Sequence, residues 1–377
     1  MKGKQGMVCM GLLLVLSSCH TGKQITASGL QRKDFQTEVN GQHTDLFTLS
    51  NKQGMEVCIT NYGARVVSIL VPDRNGKRED VVCGFSTITE YMEQRQNFGS
   101  TVGRYIGRIL NARFTLDGVE YKLVPNNGKS GHISHGGNPG FADRIWKVEQ
   151  ADTHRVCLSY LSPDGENGFP GNLKVTLVYS LGEDENALDL TYEATTDAPT
   201  VLNLSHHSFF NISGNFTKSV EDQQLWVDAD RFTPYDDKKC VTGEYLPVAG
   251  TPLDFRMPHA IGECIDADHP QLKVVNGYDH TWELNTKGDD TRPAAWVYDP
   301  TSGRKMEIFT TEPGMQIYTG NGLKGKMTGK RGIAYPFRSA VCFETMHFQD
   351  SPNQPGFPST VLRPGEVFRS HTVYKFE

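Results

Sequence analysis

Several signatures are missing from this 377-residue chain. It has no Cys-x-x-Cys pair, which argues against a structural zinc site. It has no basic run, and its formal net charge is −6 with a pI of about 6.1, which excludes nucleic acid as the expected partner. The same lack removes an electrostatic membrane patch. No Gly-rich phosphate loop follows a strand-like segment, so a nucleotide cofactor has no cradle. Nor is there a long helical repeat, a visible internal repeat, or a Pro- or Ser-rich linker after residue 35. At 377 residues the chain is long enough to bury a large core without disulfide or metal.

The start of the chain differs from the rest. Lys2 and Lys4 precede an apolar run from Met7 to Leu16, and Leu16-Ser17-Ser18-Cys19 follows. A basic start, a short apolar stretch and small residues read as an export signal, too short to span a membrane. The cysteine after the small residues resembles the bacterial lipobox. That resemblance implies cleavage before Cys19 and acylation of Cys19. His20 stands where an aspartate would signal inner-membrane retention, so the expected location is the cell envelope, lipid-anchored in the outer membrane and facing the periplasm. The expected division is a signal over 1–18, a flexible tether over 19–35, and one domain over 36–377. Six further cysteines are Cys58, Cys83, Cys157, Cys240, Cys264 and Cys342. Cys58, Cys83, Cys157 and Cys342 lie in apolar strand-like runs, where cysteine serves as a small buried hydrophobe.

Period-two patterning dominates the remainder. Leu173, Val175, Leu177 and Tyr179 alternate with more polar residues, and so do Leu188, Leu190, Tyr192 and Ala194. The polar stretch Gly182–Asn186 between them predicts a hairpin with one buried face. Val156-Leu158-Tyr160, Met306–Phe309 and Ala340–Glu344 repeat the pattern. The best helix candidate is a short one near Thr89–Gln96. Many strands between Gly and Pro turns predict an all-β fold, a large antiparallel sandwich.

Polar groups recur where a plain strand needs none. Two arginines sit in Gly103–Ile109, and imidazoles at His132 and His135 precede Gly136-Gly137, a loop where glycine lets a ligand approach the backbone. His206 and His207 lie in a strand-like run, where adjacent side chains face opposite sides. Only one of them can therefore enter a given site. Asp279 lies in a polar turn, and Glu344 in an otherwise apolar strand between small same-face neighbours.

These motifs, in order, resemble those of the aldose 1-epimerases, the galactose mutarotases. Asn61–Ala64, Val71–Gly76 and Asp80–Phe85 look like the family's opening strands. Val102–Ile109 resembles its arginine motif, and His135–Gly137 with Gly140-Phe141 its histidine loop. Asn203-Leu204 with His207-Ser208 and Phe210-Asn211 resembles its catalytic histidine strand. Gly277–His280, Pro313–Asn321, Phe343–Thr345, Asn353–Pro355 and Leu362–Glu366 complete the set. The resemblance implies a galactose mutarotase-like supersandwich acting on a free monosaccharide without cofactor or metal. It implies Glu344 as base, His207 as acid, and Arg108, His135, Asp279 and Gln316 as sugar-binding groups. Gly107, Ser134 and His206 depart from the family pattern, and Gly107 and His206 are expected to bear on sugar preference. Three other readings compete: a glycoside hydrolase using Glu344 with Asp279 as a carboxylate pair, a non-catalytic sugar-binding lipoprotein, and a metal site drawn from His132, His135, His206 and His207.

The anchor is directly testable. Cys19→Ala is expected to leave the chain unprocessed or to release it into the soluble fraction. Unchanged membrane association of the variant on fractionation refutes the lipid anchor.

Overall fold

The computed structural model describes residues 25–377, so the apolar leader and Cys19 lie outside the described residues. The fold is built from antiparallel sheets. The largest has nine strands, in spatial order Lys147–Ala151, Arg155–Ser162, Leu173–Leu181, Ala187–Thr196, Phe368–Phe376, Lys305–Thr310, Ala295–Tyr298, Gln224–Val227 and His259–Ala260. A six-stranded sheet runs Phe209–Phe210, Val341–Met346, Gly314–Tyr318, Asp279–Glu283, Arg231–Thr233 and Leu246–Pro247. A four-stranded sheet covers Leu46–Asp80. Among the described residues there are two α-helices, Ile88–Gln94 and Pro270–Val275. The first lies where the sequence predicts one. Thr87 caps it by accepting from the Glu90 N–H, while the Glu90 carboxylate accepts from the Thr87 N–H.

The predicted hairpin forms, with Leu177 opposite Tyr192 and Val175 opposite Ala194. Its apolar face is buried. Leu173, Val175, Leu177, Tyr179, Leu188 and Leu190 join one cluster with Phe232, Trp282, Met315, Ile317, Val341 and Phe343 of the six-stranded sheet. Each such side chain contributes about 1.5–3 kcal/mol on burial. The nine-stranded sheet thus covers one face of the six-stranded sheet and leaves its other face available.

Two details depart from expectation. All six described cysteines are free thiols, and Cys58, Cys83 and Cys342 are buried. Cys157 is half-exposed instead, because Val156 and Leu158 take the inward positions of its strand. The expected tether is also shorter. From Thr26 onward the chain is packed against the four-stranded sheet. The N–H groups of Ala27 and Ser28 donate to the Glu56 carboxylate at 3.0 and 3.1 Å. The Ser28 hydroxyl lies 3.1 Å from that of Ser68. Leu30 and Phe35 enter a cluster with Cys83, Phe85 and Tyr91. The segment is buried largely through hydrogen bonds, which leave no hydrophobic period in the sequence.

Phe35 is fully buried, so Phe35→Ala is expected to cost about 3–5 kcal/mol of stability. Urea unfolding measures it. A change within about 0.5 kcal/mol, typical of an exposed site, overturns this packing.

Candidate active site

The free face of the six-stranded sheet carries the site. On Val341–Met346 the inward side chains Val341 and Phe343 join the core. Cys342, Glu344 and Met346 therefore point the other way. The neighbouring strands alternate in step. Met315 and Ile317 are in the core, while Gln316 and Tyr318 face the site. Pairing sets Gln316 directly opposite Glu344 and Thr281 opposite Gln316; one row along, Tyr318 stands opposite both Cys342 and Asp279. Directly opposed side chains in a sheet are about 5 Å apart. The register alone thus gathers Glu344, Gln316 and Asp279.

The other wall comes from loops and short strands. His207 ends Ser205–His207, which pairs with Ser100–Val102. Two residues on, Phe209 stacks on the His207 ring at 5.0 Å and 18°. Arg108-Ile109 pairs with Ile133-Ser134, which delivers Arg108 and His135 to the same cleft. Gly136 has φ +78°, and a Cβ there would stand 2.0 Å from the Gly103 oxygen. This glycine serves backbone-to-backbone packing that holds the loop, rather than the approach of a ligand expected from the sequence.

The resulting cleft encloses about 250 Å³. His207 Nε2 lies 3.5 Å from Glu344 Oε1, both groups being almost wholly buried. His207 Nδ1 is 3.6 Å from Cys342 Sγ, so Nε2 is the nitrogen turned toward the carboxylate. The His135 ring stands 5.5 Å from that of His207. Gln316 donates to Asp279 Oδ1 at 2.6 Å and accepts from the Thr281 hydroxyl at 2.5 Å. Arg108 lies over the Tyr235 ring at 5.9 Å and donates to Gln349 Oε1 at 3.4 Å. Gln349 in turn donates to the Tyr235 hydroxyl at 2.7 Å.

Burial sets the protonation of this cleft. It pushes the Glu344 carboxyl well above its ordinary value, with the Asp279 charge adding to the effect and Arg108 opposing it. Burial, then His135, pushes His207 well below the ordinary imidazole value. His135 falls to about 4 by burial and the Arg108 charge. Burial likewise raises Asp279, against the pull of Arg108 and Gln316. The environment disfavours adding a proton to His207 and disfavours leaving Glu344 charged. Both shifts favour the state in which Glu344 holds the proton and His207 is neutral.

All six site residues expected from the sequence, Glu344, His207, Arg108, His135, Asp279 and Gln316, line this one cleft. His206 does not. It is buried on the opposite face, 2.6 Å from the Ser208 hydroxyl and 3.4 Å from that of Tyr179, and burial lowers it to about 3. It does not line the cleft, whereas Gly107 and Ser134 do. Arg104 is a structural clamp whose guanidinium donates to the carbonyls of Pro170, Gly171 and Ser162. His132 is held apart, accepting from the Asn111 N–H at 2.9 Å and lying 3.3 Å from Cys240 Sγ. His132, His135, His206 and His207 therefore do not converge on one centre. Among the described residues, His207, Cys342 and Glu344 do place ligand-type atoms within 4.8 Å of one another. A cation there would need the Cys342 thiolate, and burial drives that thiol well above its ordinary value. The sequence reading missed Asn97, Phe209, Tyr318, Tyr235 and Gln349. Phe209 and Tyr318 fall inside motifs already singled out, while Gln349 and Asn97 sit in irregular segments with no periodic signal.

The family model described as aldose 1-epimerase matches residues 45–375. Galactose mutarotase from Sus scrofa is 39% identical over 330 residues, covering 88% of this chain and 93% of that protein. Aldose 1-epimerase from Escherichia coli (strain K12) is 36% identical over 340 residues, covering 89% and 96%. Among solved structures, an aldose epimerase homologue from C. elegans superposes with a TM-score of 0.81 at 31% identity, covering 89% of this chain and 99% of that one. A galactose 1-epimerase from Lactobacillus acidophilus NCFM gives 0.79 at 29%, covering 90% and 96%. With the ordered motifs gathered into one cleft and this similarity running almost the length of the domain, the chain belongs to the aldose 1-epimerase family.

Proposed function

We propose that the chain interconverts the α and β anomers of free hexoses of the glucose and galactose type by acid–base opening and closing of the ring. The observation that carries this reading is the Glu344–His207 contact at 3.5 Å on the floor of a polar cleft. Anomer exchange needs one base and one acid around the anomeric carbon. The reactive form is carboxylate and imidazolium, reached when the pair's proton passes from Oε1 to Nε2. Glu344 takes the proton of the anomeric hydroxyl, and the carbon–oxygen double bond forms as the bond to the ring oxygen breaks. His207 Nε2 gives its proton to that oxygen. The open aldehyde turns about its bond to the next carbon. On closure His207 recovers its proton from the hydroxyl that attacks, and Glu344 returns a proton to the new anomeric oxygen. No net proton or electron is consumed.

The raised carboxylate is a stronger base once ionised, and the lowered imidazole a stronger acid once protonated. Arg108, His135, Asp279 and Gln316 are assigned to hydroxyl binding. The Gln316 and Gln349 contacts hold Asp279 and Arg108 in place before sugar arrives. The basic start, the apolar run and Cys19 support an exported, lipid-anchored protein of the bacterial envelope, the outer membrane facing the periplasm being the place proposed.

Polarimetry of fresh α-glucose and α-galactose, corrected for spontaneous mutarotation, tests the activity. Glu344→Gln and His207→Asn are each expected to lower turnover by about 10²–10⁴-fold. The double variant is expected to be little worse than the worse single one, since the two groups act in one relay. His206→Asn is expected to affect stability more than turnover. Near-normal rates in Glu344→Gln would overturn the mechanism, and a loss in His206→Asn with activity kept in His207→Asn would invert the face assignment.

The pH profile follows from the same shifts. The pair works while it holds one proton, so kcat/KM is bell-shaped, with limbs that belong to the pair. On the acid side a second proton must create a buried imidazolium, which places that limb below histidine's ordinary value of about 6.5. On the alkaline side the sole proton must leave a buried carboxylate, which places that limb above the ordinary carboxylate value of about 4.3. Activity lost as pH falls through about 6.5 contradicts this.

A further inference from the structure

We propose that Cys342 is a positioning residue of the acid–base pair: its sulfur accepts from His207 Nδ1–H and so holds the imidazole in the tautomer whose Nε2 is free to take a proton from Glu344. This deepens the proposed anomerase mechanism and rests on it.

The placement comes from strand geometry. Cys342 and Glu344 are two residues apart on Val341–Met346 and share the face turned away from Val341 and Phe343. Same-face neighbours lie about 6.8 Å apart along a strand. The His207 ring spans that interval, with Nε2 3.5 Å from Glu344 Oε1 and Nδ1 3.6 Å from Cys342 Sγ. Each ring nitrogen thus faces one side chain of the same strand. Phe209 stacks on the ring at 5.0 Å and the His135 ring stands across it at 5.5 Å, which limits its rotation.

The position of the protons sets the direction of the hydrogen bond. With Glu344 protonated and His207 neutral, the Glu344 O–H donates to a bare Nε2. The ring hydrogen then sits on Nδ1. It stays there when Nε2 takes the second proton, so Nδ1–H needs an acceptor in both states of the relay. Cys342 is wholly buried, in a cluster with Phe209, Ala340 and Cys83. The His207 carbonyl also lies near the ring, but it already accepts from the Gly99 N–H at 3.0 Å. A buried N–H left without an acceptor costs its full desolvation. The opposite neutral tautomer carries its hydrogen on Nε2 and cannot take the proton of Glu344.

Sulfur suits this place because it is a weak acceptor. A carboxylate at Nδ1 would stabilise the imidazolium and make His207 a poorer acid. The sulfur orients the ring while burial keeps His207 well below the ordinary imidazole value. Burial also keeps Cys342 a thiol, so no thiolate charge holds the imidazolium in place.

The test compares Cys342→Ser and Cys342→Ala with the parent in the full-length chain. Serine keeps a hydroxyl acceptor, and alanine keeps none. Polarimetry on glucose gives kcat and KM, urea unfolding gives stability, and ¹⁵N NMR of histidine-labelled protein gives the tautomer. The His207 signals are assigned by their loss in His207→Asn. The parent is expected to carry its neutral-ring hydrogen on Nδ1. Cys342→Ala is expected to lower kcat by about three- to tenfold, with KM unchanged because Cys342 does not line the cleft. Cys342→Ser is expected to keep more turnover than Cys342→Ala while being no more stable, since a hydroxyl packs worse than a methyl in that apolar cluster. Turnover in Cys342→Ala equal to the parent's overturns the proposal. So does a change confined to KM, or turnover that follows stability with alanine above serine, because packing alone then explains the residue. A parent ring with its hydrogen on Nε2 overturns it as well, and this measurement stands even where a variant fails to fold. A parent that exchanges no anomers overturns the anomerase reading and the role in catalysis with it, whereas loss of function confined to the variants bears on Cys342 alone.

Discussion

Side chains on a strand alternate between two faces, and the six-stranded sheet spends one face on the core. That one-sided burial is the constraint on which the site depends. Val341 and Phe343 cannot leave the interior without exposing aromatic and β-branched surface, and Cys342, Glu344 and Met346 are therefore held outward. The register with Gly314–Tyr318 and Asp279–Glu283 does the rest, because a slip of one residue would send Glu344 into the core and Phe343 into the cleft. Placing the Glu344 carboxylate on a sheet buried from behind makes its position as stable as the fold itself.

The same burial creates the electrostatic character of the cleft. Glu344 and His207 are buried and His135 is partly so, and each is driven toward its neutral form. Arg108 opposes this at Glu344 and Asp279 but adds to it at His135. One cation thus sets two carboxyls and an imidazole in different senses. Burial without Arg108 would leave the two carboxyls more fully neutral, and a fully solvated site would lack the matched acid and base strengths that proton exchange uses.

The remaining wall follows a different logic. The histidine loop is positioned by close backbone contact, Gly136 against Gly103, and by the two-residue pairing of Arg108-Ile109 with Ile133-Ser134. The N-terminal segment is likewise held by specific contacts rather than by a hydrophobic period. Ser28 is buried because its N–H and hydroxyl find partners in Glu56 and Ser68, and Thr26 because its hydroxyl meets that of Ser28 and accepts from the Leu30 N–H, with Phe35 in the adjoining cluster.

Where alternation governs, the sequence by itself determined the outcome. The hairpin of Leu173–Leu181 with Ala187–Thr196, the all-β class, the short helix after Thr87, and the exclusion of either His206 or His207 from the site all follow from local period and capping. The ordered motifs pointed to Glu344, His207, Arg108, His135, Asp279 and Gln316 by resemblance, and one cleft holds them all. Tertiary structure decided what no local pattern encodes: that His206 rather than His207 enters the core, that Gln349 and Tyr235 brace Arg108, and that residues 26–35 pack instead of trailing free. Those outcomes depend on contacts between residues tens to hundreds of positions apart. Their partners are chosen by space and hydrogen-bond need, and neither leaves a period in the chain.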